Sequence, residues 1–272
     1  MKGVDAPLGI GIAMDFLTFT VVLLMLGLLV GGLLAYWKLA AKIDNLKESR
    51  SGAFNMHFRQ VEALMALYYR LQPRIPFPFT RGWAASPDFL LTVANCVLDR
   101  RPSTIVECGS GVSTIVMARC AQLNTVGHVY SLEHDARFAL ATRDELSKQG
   151  LSDFATVIHA PLVETSIPDW DGKWYELSGL AIDGLVDFVV VDGPPVVAAK
   201  LARYPAGPAF FGRLSEGAMI LLDDADRADE KTIADLWSKR FHGLSALTLP
   251  ECEKGSRGFV WLGSIESFAK VP

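Results

Sequence analysis

Four acidic motifs in this chain each follow a short apolar run, and carboxylates in that position can do chemistry. The first is Glu107-Cys108-Gly109-Ser110-Gly111-Val112-Ser113-Thr114. Glycines let backbone approach a ligand, and a helix opening just after them presents free N–H groups. A carboxylate two residues before the first glycine would repel a pyrophosphate and welcome a cation such as an ammonium. The second is Glu133, 22 residues after Gly111, where an acid can accept hydrogen bonds from both hydroxyls of a ribose. Together the two motifs point to a nucleoside ligand. The third is Asp192-Gly193-Pro194-Pro195 and the fourth Asp223-Asp224-Ala225-Asp226-Arg227. If Asp192, Asp223 and Asp224 converge, the cluster is expensive unless its members are protonated, paired or bound to a metal. The plainer alternative is that one caps a helix and another pairs with Arg227 or Arg203.

These residues need a scaffold that brings them to one edge. Hydrophobic periodicity predicts helices over 89–98, 113–123, 136–149 and 230–240, and strands over 103–107, 128–133, 155–159, 187–192 and 218–223, with two more near 245–249 and 259–262. Alternation of strand and helix argues for a doubly wound, parallel α/β sheet, and the unbroken apolar runs 188–191 and 218–222 suit strands covered on both faces. In such sheets the ligand sits at the carboxyl ends of the strands, where the order reverses. Every motif above falls at such an end.

The remainder of the sequence concerns location. The 272 residues are 50% hydrophobic, with a net charge of −4. Residues 16–37 carry no charge, and a 22-residue helix is long enough to cross a bilayer. Tyr36 and Trp37 close the run where an interfacial aromatic belt would sit. The stretch exceeds the apolar core of a signal peptide and has a single preceding cation, Lys2. Lys38, Lys42, Lys47 and Arg50 on its other side place the C-terminal body in the cytoplasm. The expected organisation is a tail over 1–15, a transmembrane helix over 16–37, a helical stalk and Pro-rich linker over 38–80, and one domain over 81–272. The stalk carries a stripe at Leu39, Ile43 and Leu46 and a second at Phe54, Phe58, Val61, Leu64, Met65, Tyr68 and Leu71, with a break or kink expected at Ser49 to Gly52. Its 38–71 helix is a stalk or a self-association element. Cys96, Cys108, Cys120 and Cys252 fit no zinc or redox spacing and read as small buried hydrophobes. With no basic, aromatic-interleaved patch and a negative net charge, a nucleic-acid partner is disfavoured.

Taken in order, Glu-Cys-Gly-Ser-Gly, Leu132-Glu133-His134-Asp135, Val-Val-Val-Asp192-Gly-Pro-Pro and Leu-Leu-Asp223-Asp224 resemble the class I S-adenosylmethionine-dependent methyltransferases, closest to a bacterial, catechol-methyltransferase-like branch. The resemblance covers about residues 81–265. It implies a seven-stranded Rossmann-like sheet whose last strand is antiparallel. It also implies that Glu107, Gly109, Ser110 and Gly111 hold the methionine portion of S-adenosylmethionine, that Ser113 is a further cofactor-binding residue, that Glu133 takes the ribose, and that His134 lies beside the adenine. Asp192 would sit near the transferred methyl, as a general base or as an orienting group. Metal-dependent relatives hold a divalent ion, such as Mg²⁺, with an acid after the fourth strand and an Asp-Asn pair after the fifth. Asp192 and Asp223 match, Asp224 replaces the Asn, and Pro195 stands where a lysine often follows, so the ion is left open. Trp83, Trp174, Tyr175 and Arg203 are substrate-side candidates, Arg203 for an anionic group. The function implied is a membrane-anchored enzyme methylating an oxygen of a small-molecule, glycan or lipid-linked acceptor. The alternatives are a non-catalytic nucleoside-binding assembly factor and an NAD-linked oxidoreductase, the latter opposed by Glu107 and Thr114.

Overall fold

The computed structural model describes residues 15–80, 82–250 and 252–263. The expected tail, apart from Asp15, therefore lies outside the described residues, as do Arg81, Glu251 and the last nine positions. A boundary between two compact units falls between Met56 and His57.

Helix α1 (Phe16–Leu71) begins in the first unit. Among the described residues one stretch, Phe16–Lys47, is long and apolar enough to cross a membrane, and none of it is buried by protein. The expected break at Ser49 to Gly52 does not occur: helix continues through it. A lone glycine costs a helix only about 1 kcal/mol relative to alanine, and no proline is present to enforce a stop. The stop comes at Leu71, just before Pro73, with Gln72 at φ +42. In the second unit the buried stripe of α1 is Gln60, Ala63, Leu67 and Leu71, whereas Phe58, Val61 and Met65 are exposed. The helical period was read correctly, but its phase was off by about a third of a turn. The largest apolar side chains were given weight that the packing gives to smaller ones.

The second unit is built on a seven-stranded sheet in the order β3-β2-β1-β6-β7-β9-β8. Its strands are β1 (Thr104–Cys108), β2 (His128–Glu133), β3 (Ala155–His159), β6 (Val186–Val191), β7 (Leu214–Asp223), β8 (Leu244–Leu247) and β9 (Ser256–Trp261). Every pairing is parallel except those of β9, which runs antiparallel to both β7 and β8. Along β6 the side chains alternate between two cores. Phe188 and Val190 face one with Leu67, Leu71 and helices α2 (Pro87–Arg100) and α3 (Val112–Asn124); Val189 and Val191 face the other with Phe210, Trp237 and Phe259. Both faces are thus covered, as the continuous apolar runs predicted. Helices α4 (Ala136–Lys148), α5 (Ala206–Phe210) and α6 (Ala228–Arg240) complete the domain.

One crossover departs from the expected pattern. Between β3 and β6 the chain folds a two-stranded hairpin, β4 (Leu162–Ile167) and β5 (Trp170–Tyr175), in a stretch to which the sequence assigned no element. Trp170 and Trp174 point inward, and between them Gly172 leaves room for the Trp170 ring, which a Cβ there would meet at 2.9 Å. The signal was present as Trp-x-Gly-x-Trp, a period of two after the Pro168-Asp169 turn.

Candidate active site

β1 is flanked by β2 on one side and β6 on the other, so the chain reverses direction across the sheet at this strand. The carboxyl ends of β1 and β6 form the crevice where ligands of open α/β sheets bind. The chain leaves β1 through Gly109 at φ +114 and Gly111 at φ +145, conformations that disfavour any other residue. Gly109 lies against the next strand's exit: a Cβ there would stand 3.5 Å from the carbonyl carbon and oxygen of Asp192.

Glu107 is fully buried. Its Oε2 accepts the Thr114 hydroxyl at 2.6 Å, and Thr114 Oγ1 in turn accepts the Gly111 N–H at 3.1 Å. Its Oε1 is buried with no hydrogen-bond partner among the described residues. Burial pushes the Glu107 carboxyl up to about 7, against the hydroxyls of Ser113, Thr114 and Ser131, while Glu133 adds to the rise. A buried carboxylate oxygen without a donor is costly unless a ligand supplies one. Ser113, on the first turn of α3, is buried beside it.

Glu133 ends β2 and is 5% exposed. Its Oε2 accepts the Ser110 hydroxyl at 2.9 Å, and its Oε1 accepts the Asp135 N–H at 2.9 Å, with His134 Nδ1 also 2.9 Å away. The structure therefore joins Ser110 to Glu133, and the two expected ligand groups form one unit. Asp135, a neighbour the sequence reading used only as part of a motif, caps α4 by accepting the Arg137 N–H at 2.8 Å.

The third and fourth motifs also converge. Carboxylate oxygens of Asp192, Asp223 and Asp224 lie within 4.8 Å of one another. Burial raises Asp192 to about 7, with Arg203 opposing and Asp224 and Glu107 adding to the rise. Burial, then Asp192 and Asp224, lift Asp223 well above the usual carboxylate range. Arg203 stands among them. Its Nη2 donates to Asp224 Oδ2 at 2.9 Å and to Asp192 Oδ1 at 3.3 Å, its Nη1 donates to the Asp223 carbonyl at 3.0 Å, and Nε is 3.6 Å from Glu230 Oε1. Arg227 pairs with Asp224 at 2.9 Å from the surface side. The plainer sequence reading holds in its pairing half, since Asp224 meets both Arg203 and Arg227, but not in its capping half, since α6 takes no side-chain cap.

Among the substrate-side candidates, Arg203 is 3% exposed and already engaged with acids, so it does not reach out to an anionic acceptor. Trp174 packs edge-on with Tyr175 and against Phe210 in the core, and Trp83 is 85% exposed. Tyr175 does reach the crevice. A Cβ on Gly193 would come within 2.4 Å of its hydroxyl, which is buried and has no hydrogen-bond partner. His159 is exposed at the end of β3, while His128 contacts Thr156 Oγ1 at 2.8 Å away from the crevice. All four cysteines are free; Cys108, Cys120 and Cys252 are buried and Cys96 is half-buried.

The family profile described as a methyltransferase domain matches residues 106–225, a span that includes all four acidic motifs. No curated protein matches the chain by sequence. Among solved structures, the chain is similar to the methyltransferase PaMTH1 of Podospora anserina bound to S-adenosylhomocysteine. The identity is 18% and the TM-score 0.50, over 73% of this chain and 87% of that one. It is also similar to a putative O-methyltransferase of Klebsiella pneumoniae (20% identity, TM-score 0.48, 75% and 90% covered). A third is the O-methyltransferase TomG of Streptomyces achromogenes in complex with S-adenosylmethionine (17%, TM-score 0.49, 75% and 89%). The Podospora likeness speaks for the fold, in agreement with the strand order and the single antiparallel strand. Residues 106–225 thus match a methyltransferase-domain profile, on a sheet with the fold of a methyltransferase of known structure.

Proposed function

We propose that the chain transfers a methyl group from S-adenosylmethionine to an oxygen of a small-molecule, glycan or lipid-linked acceptor. In this reading residues 16–37 tether it to a membrane and its domain works on the cytoplasmic side. The observation that carries the proposal is Glu107: a fully buried carboxylate with an unpartnered oxygen, beside two glycines at the point where the sheet reverses. That arrangement suits a ligand with an ammonium group and is hostile to a pyrophosphate, which separates this reading from an NAD-linked one.

S-adenosylmethionine, when bound, supplies a methyl group on a sulfonium, already activated for in-line displacement. The chain's residues then have positional tasks. Glu107 Oε1 accepts the ammonium, and the Gly109 to Gly111 backbone passes closely alongside the methionine portion, with Ser113 supporting it from α3. Glu133 accepts the ribose hydroxyls, held in place by Ser110 and the Asp135 N–H, and His134 lies beside the adenine. Asp192, at the exit of β6, faces the acceptor and takes its proton or orients it. Alignment of two bound reactants can supply much of the rate. The choice of oxygen follows the catechol-methyltransferase-like motif set, and the cytoplasmic orientation follows the four cations after Trp37.

Calorimetric titration of the full chain in detergent with S-adenosylhomocysteine tests the core of the proposal. One site is expected, weakened by Glu133→Ala; no binding would refute it. Mass analysis of membranes fed with labelled methyl donor would then identify the acceptor.

A further inference from the structure

Beside the exit of β1, Glu107 Oε1 and the Tyr175 hydroxyl are both buried without a partner among the described residues, and they lie on opposite faces of the strand. Glu107 shares its face with Ile105, on the side of α3, where Thr114 holds its other oxygen. Tyr175 packs in the opposite core, with Val106 and Cys108. Its hydroxyl stands over Gly193: a Cβ there would collide with it and lie 3.2 Å from the Cys108 carbonyl oxygen, which accepts the Asp192 N–H at 2.9 Å. Tyr175 is 3% exposed, and its ring meets that of Trp174 edge-on at 5.5 Å. Its backbone is fixed by pairing with Leu162 and by the Glu176 N–H, which donates to the Pro161 carbonyl at 2.9 Å. Burial, with Cys108 and Glu133 adding and Arg203 opposing, pushes the phenol well above its ordinary range, so it keeps its proton and offers a donor. A phenylalanine would fill this core without burying an unpaired hydroxyl, which costs stability unless a ligand answers it.

The covalent structure of the methyl donor decides which of its parts can answer that hydroxyl. Its ammonium and carboxylate share one carbon, so a ligand whose ammonium meets Glu107 keeps its carboxylate on the α3 side of β1. Its sulfonium is cationic and accepts no hydrogen bond, and its ribose hydroxyls are taken by Glu133 at the end of β2. The part left for the hairpin side is the base, whose ring nitrogens are acceptors. We propose that Tyr175 is a specificity-determining residue of the cofactor site, its hydroxyl donating to a ring nitrogen of the adenine of S-adenosylmethionine. This rests on the methyltransferase reading and deepens it, because it moves Tyr175 from the substrate side to the cofactor. Two buried orphans then hold the two ends of one ligand, Glu107 the ammonium and Tyr175 the base, with Glu133 between them.

The experiment is calorimetric titration of the full chain in detergent, wild type against Tyr175→Phe, which removes a single oxygen. The probes are S-adenosylhomocysteine and methylthioadenosine, which keeps the base and ribose and lacks the amino acid. Tyr175→Phe is expected to weaken both by about 5- to 30-fold, and without ligand to melt no lower than wild type. A loss confined to S-adenosylhomocysteine would put the hydroxyl on the amino acid and overturn the proposal. A lower melting temperature without ligand would also overturn it, because the hydroxyl would then have a partner within the fold. Methylthioadenosine analogues with each ring nitrogen in turn replaced by C–H separate base from ribose. One of them is expected to bind wild type about 5- to 30-fold more weakly and to lose nothing further on Tyr175→Phe, whereas losses that simply add for every analogue would refute the contact. Wild type that binds neither probe refutes the methyltransferase reading, and this proposal with it. Wild type that binds both, with Tyr175→Phe unchanged, refutes the role of Tyr175 alone.

Discussion

Replacing Glu107 by glutamine should move stability and cofactor affinity in opposite directions. In the folded chain burial lifts its carboxyl from an ordinary 4.5 to about 7. A group that holds its proton more tightly when folded favours the folded state at low pH and disfavours it as pH rises through that interval. The gap corresponds to about 3 kcal/mol of destabilisation, fully developed at about pH 8 and absent at about pH 4. Glutamine has no charge to desolvate. It gives up the charge-assisted bond from Thr114, costing about 1 kcal/mol, so a net gain of roughly 1–3 kcal/mol is expected at about pH 8. For a domain of this size that is a rise of several degrees in melting temperature. The same substitution removes a charged acceptor from the ammonium of S-adenosylhomocysteine, worth about 1.5–3 kcal/mol, so affinity should fall about 10- to 150-fold. Wild-type affinity should also weaken about tenfold per pH unit below about 7, where binding must expel the Glu107 proton, and the variant should lose this dependence. Thermal unfolding and calorimetry of Glu107→Gln at several pH values read both effects. A variant less stable than wild type at about pH 8, or one that binds the ligand equally well, would refute the reasoning.

Three further outcomes follow from the same geometry. Gly109→Ala places a side chain at φ +114, costing about 1–3 kcal/mol of strain, and should lower both melting temperature and S-adenosylhomocysteine affinity. The thiol of Cys120 is pushed up to about 12 by burial and that of Cys108 higher still, so both should resist alkylation near neutral pH until the domain unfolds, which mass analysis of the labelled protein would check. A fragment beginning at residue 57 keeps Leu67 and Leu71, both fully buried, whereas one beginning at residue 72 loses them. At about 2–5 kcal/mol for each buried leucine, the shorter fragment should be far less stable in urea, and equal stabilities would show that the end of α1 is dispensable.

The sheet was legible because its central strands are covered on both faces, so their apolar runs carry an unambiguous signal. β2 and β3 begin and end where the sequence placed them, and β1 and β6 are displaced by one residue. β7 was read four residues short. Its start, Leu214 to Gly217, contains Gly217 at φ +77 and lies where the β6 register shifts, so the pattern there is not that of a regular strand. Pro73, Pro76 and Pro78 look like a linker, yet the turn of helix before them supplies two core leucines. The acids of the site were visible from their places after apolar runs. What could not be seen was which partner each would choose, because Arg203 meets Asp192 and Asp224 only through the return of the chain after β6.

The hairpin crossover explains how the hydroxyl of Tyr175, one of the substrate-side candidates, reaches the crevice. Two strands alone are marginally stable in water, so β4 and β5 persist by laying Trp170 and Trp174 on the sheet's second core, where Trp174 meets Phe210. The next residue, Tyr175, pairs with Leu162 at the hairpin's open end and is carried to the exit of β1 and β6. Trp174 and Tyr175 are both buried in that core and meet edge-on, with ring centroids 5.5 Å apart. The aromatic packing that stabilises the hairpin therefore also fixes the Tyr175 hydroxyl beside Gly193, and loosening Trp174 should disturb the crevice although Trp174 does not line it.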